Sequence, residues 1–250
     1  MAMQQRAVQT RGRVLVAAAE VFARTGFLAA SMNDIVEAAG VTKGAVYFHF
    51  PSKEALAVAI VEEQFAQWPP IVASIIEHSP DALTSIVALT YEVGSRFRDD
   101  VLTTAGIRLS FERELVNAAM PTPFVGWIGI LQELFIRARR EGHLRPGLQA
   151  APTARALVGG FFGIQHVSEI LTNRVDLEVR LDEFWKVFLV GLAVDPDWSS
   201  TQRAVRRVRA AIPRLPAQLD SDSDSDSDIN SDSDSDINSD SDIDSDPKLG

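Results

Sequence analysis

From Arg11 to Val194 apolar residues return every three or four positions, a period that leaves room for little besides helix. Val14, Leu15, Ala18, Val21 and Phe22 fall on one face of the first such segment, and Gly26 follows as a stop. Ser31-Met-Asn-Asp34 has the form of a capping box, in which Ser31 accepts a first-turn amide. The short helix it opens runs to Ala39 and ends at Gly40. Thr42 caps a second short helix to about Phe48. Pro51-Ser52-Lys53-Glu54 then opens a longer one to around Trp68, where Pro69 and Pro70 must break or kink it. The same reasoning predicts helices over 71–78, 81–98, 100–117, 124–141, 152–172 and 176–193. No alternating run of β-branched residues is long enough for a sheet, so the expected class is all-α.

The net charge of −10 describes no part of the chain. Residues 220–250 hold 12 Asp and one Lys, which leaves 23 basic against 22 acidic residues elsewhere. Within Met1–Lys53, six basic residues face three acids (Glu20, Asp34, Glu37), so the N-terminal fifth is mildly basic. The tail repeats SDSDSDIN at 223–230 and 231–238. Alternating Asp and Ser cannot bury apolar surface, so 219–250 is expected to be disordered. It lacks the Asp-x-Asp-x-Asp-Gly…Glu spacing of a calcium loop and reads as a solvated spacer. Thr201–Arg214 carries five arginines and no acid, and 199–218 reads as a basic C-terminal surface helix.

Absence of cysteine excludes disulfides, thiol catalysis and Cys-ligated metals. The four histidines (His49, His78, His143, His166) form no i,i+3 or i,i+4 pair, so neither a metal nor another cofactor is expected. With no run of 18 apolar residues and a polar N-terminus, the expectation is a cytoplasmic protein with no membrane partner.

Two short helices about a tight Gly40-Val41 turn, braced by a preceding amphipathic helix, have the grammar of a helix-turn-helix. The second helix carries equipment for duplex DNA. Thr42 and Lys43 suit a phosphate, Gly44 and Ala45 keep one face flat, and Tyr47 and His49 end in polar tips. Lys53 opens the next helix with its N-terminus aimed the same way, while Val46 and Phe50 are expected to face the core. Helical bundles of other function use the same arrangement, so spacing alone leaves DNA binding open.

Residues 10–56, with GRVLVAAAEVFARTGF and SMNDIVEAAGVTKGAVYFHFPSKEAL, resemble the DNA-binding domain of TetR-family repressors. TKGAVYFHF, Pro123-Phe124 with Trp127, and FFGIQHVS at 161–168 are further similar to the γ-butyrolactone-type autoregulator receptors of actinomycetes. The resemblance implies an N-terminal three-helix helix-turn-helix domain (1–54) and a larger helical ligand-binding and dimerisation domain (55–198). It implies a homodimer on an inverted-repeat operator in double-stranded DNA, released by a small diffusible inducer, a butyrolactone or butenolide. The DNA-facing residues would be Thr42, Lys43, Gly44, Tyr47, His49 and Lys53, with Ser31 beside them and Arg6 and Arg11 on flanking phosphates. Lys43 is the candidate for a base contact.

On the ligand side, Trp127 matches the family's pocket tryptophan. Gln64, Phe65, Trp68, Leu109, Phe124, Leu131, Phe161, Phe162 and Gln165 are the expected lining, with Gln64 and Gln165 suited to a lactone carbonyl or hydroxyl. Phe65 and Phe124 stand where furan-sensing relatives place tyrosine, which favours a less polar, longer-tailed ligand. His166 is expected in a dimer interface or the core. Trp185, Phe184 and Phe188 with Leu181, Leu189 and Leu192 form a stripe that reads as dimer interface. An enzyme is not expected, because the chain has no phosphate loop, nucleophile elbow or metal cluster. A multidrug sensor controlling an efflux gene is the alternative regulator.

Overall fold

The computed structural model describes residues 2–212; the tail at 219–250 lies outside the described residues, as does the end of the expected basic helix beyond 212. Among the described residues are twelve helices, and the one β-type pairing is an isolated bridge between Leu144 and Ala193. They are α1 (Ala2–Ala29), α2 (Met32–Ala39), α3 (Lys43–His49), α4 (Lys53–Ala66), α5 (Trp68–His78), α6 (Ala82–Asp99), α7 (Val101–Phe111), α8 (Arg113–Val116), α9 (Val125–Arg140), α10 (Ala150–Thr172), α11 (Leu177–Leu192) and α12 (Trp198–Ala211). None of them is long and apolar enough to cross a membrane.

Aspartates start three of these helices. Asp81, Asp100 and Asp197 accept first-turn amides of α6, α7 and α12, satisfying N–H groups that no carbonyl of the helix reaches. Pro69 and Pro70 do separate α4 from α5. They sit in the first turn of α5, where a missing N–H leaves nothing unpaired. The helix expected over 100–117 is instead two. It breaks at Glu112, whose carboxylate turns aside to the Phe27 N–H, and α8 ends at Asn117 in the left-handed region (φ 52°).

Apolar side chains gather in two clusters. One joins α1–α4 and borrows Ala105, Leu109 and Val116 from α7 and α8; the other fills the space among α5, α6, α9, α10, α11 and α12. Packing around the N-terminal helices therefore continues beyond residue 54, through Leu56, Ala57, Ile60 and Val61 of α4. Helix α12 is only half a surface helix. Val205, Val208 and Ile212 are buried, and Arg209 donates to Glu178 at 2.8 Å and lies over the Tyr91 ring. The Tyr91 hydroxyl donates to Asp182, which also accepts from Gln202 of α12; burial first, then that carboxylate, pushes the phenol's pKa up. Arg203, Arg206 and Arg207 remain on the outside.

The α10–α11 corner turns through Asn173 (φ 51°) and Arg174 (φ 64°). Asp176 accepts there from Arg180, Ser168 and Thr172, and these bonds, that of Arg180 foremost, hold its carboxyl far below the usual carboxylate range. A depressed folded pKa contributes stability above the unfolded value, about 3.9, that is lost as pH falls toward the folded one. Asp176→Asn is therefore expected to lower the urea midpoint at neutral pH, with the gap to wild type closing below about pH 4. A gap that stayed constant down to pH 2 would remove the charge from the explanation.

The aromatic stripe of α11 belongs to the core. Leu181, Trp185, Leu189 and Leu192 are buried in the second cluster, with Phe184 and Phe188 packed against it, because this is the face α11 turns to α6 and α10. The uncovered apolar face is another one: Val179, Val187 and Val190 on α11, Val175 at the corner, and Val167, Ile170 and Leu171 on α10.

Candidate DNA-binding surface and ligand cavity

The N-terminal unit is assembled by caps. Ser31 Oγ accepts the Asp34 N–H at 3.2 Å and Asp34 Oδ2 accepts the Ser31 N–H at 2.9 Å, a reciprocal pair that also lowers the Asp34 pKa. Gly40 ends α2 at φ 60°, and Arg13 of α1 donates to the Ala39 carbonyl at 3.1 Å, bracing the turn. Thr42 Oγ1 accepts the Ala45 N–H at 3.2 Å, so its own hydroxyl proton stays available to a phosphate. Ile35, Val46 and Phe50 are buried beneath, which fixes which side of α3 faces outward.

That outward side carries Thr42, Lys43, Gly44 and Tyr47, all exposed, with His49 half-buried beside them. The Lys43 ammonium lies 5.8 Å from the Tyr47 ring centroid. Arg6 and Arg11 are exposed on α1, and the Arg11 guanidinium sits 5.1 Å from the centroid of the Phe50 ring. Ser31 is exposed, but its hydroxyl oxygen is engaged as the α2 cap. Lys53 is half-buried: Nζ donates to the Phe27 and Ala30 carbonyls at 2.7 and 2.8 Å and lies over the Phe27 ring. Phe48, missed in the sequence, is 78% exposed on α3. The signal was there, since Phe48 stands two residues beyond the buried Val46, about 200° round the helix.

The cavity lies between α6, α9 and α10. Leu89, Thr90, Val93, Trp127, Leu131, Leu157, Val158, Phe161 and Phe162 line it, and it encloses about 30 Å³. That is room for about two water-sized groups, so a larger guest must reach outward or part the helices. Thr90 brings the one side-chain hydroxyl, and it is already engaged: Oγ1 donates to the Val87 carbonyl at 2.7 Å and accepts from Trp185 Nε1 at 2.8 Å.

Of the residues expected to meet a ligand, Trp127, Leu131, Phe161 and Phe162 line this cavity. Trp68 and Phe124 form a second layer, Trp68 edge-on to Trp127 at 4.8 Å and Phe124 edge-on to Phe162 at 4.5 Å. The other four expected lining residues are elsewhere. Leu109 and Phe65 belong to the N-terminal cluster, because α7 and α4 turn those faces to α1. The buried Gln64 packs against Gly106, with Oε1 unpartnered. Gln165 is held by the buried Arg174, whose Nε donates to its Oε1 at 2.9 Å. Leu89, Val93, Leu157 and Val158 escaped the sequence reading, since nothing in an apolar run tells cavity wall from filled core.

The profile of bacterial regulatory proteins of the tetR family matches residues 14–60, and that of tetracyclin repressor-like C-terminal domains matches 80–194. The A-factor receptor protein of Streptomyces griseus is 37% identical over 193 residues, spanning 77% of this chain and 67% of that protein. The regulator UidR of Escherichia coli is 32% identical over 168 residues, 65% of this chain and 83% of its own. A solved structure concerned with control of antibiotic production by bacterial hormones shares 42% identity at a TM-score of 0.70, covering 75% of this chain and 99% of that one. CprB of Streptomyces coelicolor in complex with its operator sequence shares 27% identity, also at 0.70, over 84% and 100%. The chain belongs to the TetR family of bacterial regulatory proteins.

Proposed function

We propose that this chain is a ligand-responsive transcriptional repressor. As a homodimer it binds an inverted-repeat operator through paired α3 helices, and a γ-butyrolactone-like signal releases it from genes of antibiotic or secondary-metabolite production. The observation that carries the reading is an apolar cavity beside Trp127 in the same chain as a solvent-facing helix of a helix-turn-helix. The likeness to an A-factor receptor supports the ligand class. The uncovered valine-rich face of α10 and α11 supports the dimer, because monomers rarely leave such a patch to water. The cavity wall holds no carboxylate to meet a cationic drug, which disfavours a multidrug sensor.

A guest shifts the protein between DNA-competent and released states only by its difference in affinity for the two. A guest larger than this cavity favours whichever state widens the space among α6, α9 and α10. The test is fluorescence anisotropy on duplexes flanking the protein's own gene, titrated with γ-butyrolactones of increasing alkyl length. Binding to one inverted repeat with release by the longer lactones is expected; no preference over random duplex would end the reading.

Lys43→Ala is expected to weaken operator binding by about 1–3 kcal/mol and relax the preference at one base position in each half-site. Unchanged base preference with a salt slope lowered by about one would reassign Lys43 to a phosphate.

A further inference from the structure

We infer that Arg108 and Glu112, one turn apart at the end of α7, are positioning residues that fasten the helix-turn-helix to the cavity-bearing helices and carry changes between them. The regulatory half of the inference rests on the repressor reading. The attachment is made at Gly26, where α1 breaks. Its backbone sits at φ 78°, ψ 175°, a combination essentially confined to glycine, and a Cβ there would lie 2.6 Å from the Arg108 guanidinium and 2.8 Å from the Glu112 carboxylate. Arg108 donates to the Ala23 and Arg24 carbonyls, at 2.8 and 3.3 Å, and pairs with Glu112 at 3.1 Å. Glu112 Oε2 in turn accepts the Phe27 N–H at 2.6 Å.

On the other flank Lys53 of α4 binds the Phe27 and Ala30 carbonyls. The connector into α2 is therefore gripped by two helices, and a displacement of α7 against α4 must carry it along. At its opposite end α7 begins at the corner where Thr104 donates to the Phe97 carbonyl at 3.0 Å. The Phe97 ring meets Phe161 and Phe162 of the cavity wall, with centroids 6.1 and 5.8 Å away. One short helix thus reaches from the cavity wall to the connector ahead of α2 and α3.

Coupling between two sites is reciprocal, so DNA itself can serve as the probe. Hydrogen exchange would be followed in the full chain, free and bound to a duplex selected by the wild type from a random pool. Arg108→Gln, Glu112→Ala and the charge-swapped double variant R108E/E112R would be compared with wild type, after circular dichroism shows each helical. In Glu112→Ala the Phe27 amide is expected to exchange about tenfold faster or more, since its charged acceptor is gone. In Arg108→Gln it should also quicken, by less, because the carboxylate loses the guanidinium that holds it in place.

Duplex binding is expected to slow exchange in α9 and α10 of the wild type. In the single variants that distant change should shrink to less than about a third, while DNA is still bound. The swapped pair keeps an ion pair but offers a carboxylate to carbonyls and a guanidinium to an N–H, so it should fail as well. Restoration by the swap would overturn the inference, because any ion pair would then serve. So would an intact distant response in the single variants, or an unchanged Phe27 exchange rate. A wild type that selects no duplex would overturn the repressor reading, and the coupling with it.

Discussion

Trp185→Ala is expected to destabilise the fold by about 3–5 kcal/mol, the range for truncating a fully buried aromatic residue. Trp185 has no exposed surface, its ring centroid lies 5.6 and 5.7 Å from those of Phe184 and Phe188, and its Nε1 donates to Thr90. The second cluster would lose a fully buried indole at the junction of α6 and α11, leaving a void that packed helices close only in part. Trp185→Phe separates the contributions. It retains most of the ring and removes the donor, and should cost about 1–2 kcal/mol, since Thr90 still bonds the Val87 carbonyl. Urea midpoints at constant m would measure both. Near-wild-type stability in the alanine variant would mean that this cluster does not hold the body together.

Val187→Asp is expected to leave the monomer's helical content intact and abolish operator binding. Val187 is 77% exposed, so a carboxylate there costs the isolated fold almost nothing. In a two-fold dimer the same substitution enters the interface twice, burying charges without partners, at a cost of about 3 kcal/mol or more. A hundredfold or larger drop in operator affinity, about the same energy, should accompany a halved mass in sedimentation equilibrium, because half-site spacing exists only in the dimer. A variant that remained dimeric would move the interface off the α10–α11 face.

How far the sequence reached differed between the two ends of the protein. In the helix-turn-helix nearly everything was legible, because capping and turn chemistry are local: Ser31 with Asp34, Gly40, and Thr42 each declare a helix end to residues within three positions. The inward bonds of Lys53 were not legible because its partners lie 26 and 23 residues away, and no periodicity announces that a lysine will cap a distant helix. Around the cavity Trp127, Leu131, Phe161 and Phe162 came from resemblance, and only tertiary packing separates them from Leu109. Gln165 illustrates the loss: its chemistry suits a lactone, and Arg174 has already taken it. The α11 stripe misled for a related reason. A face lined with tryptophan and phenylalanine is the better interior, and the smaller valines were left uncovered.

Thr90, with its hydroxyl engaged on both sides, has a bearing on life in mixed populations. A wall whose polar side-chain atoms are one engaged hydroxyl and the Trp127 indole N–H gauges mainly the length and girth of hydrocarbon. Each methylene contributes about 0.8 kcal/mol, so two signals one carbon apart differ less than tenfold in affinity. A cell relying on this chamber alone would hear its neighbours' dialects nearly as loudly as its own. Privacy would then depend on how much signal each strain releases, and on when.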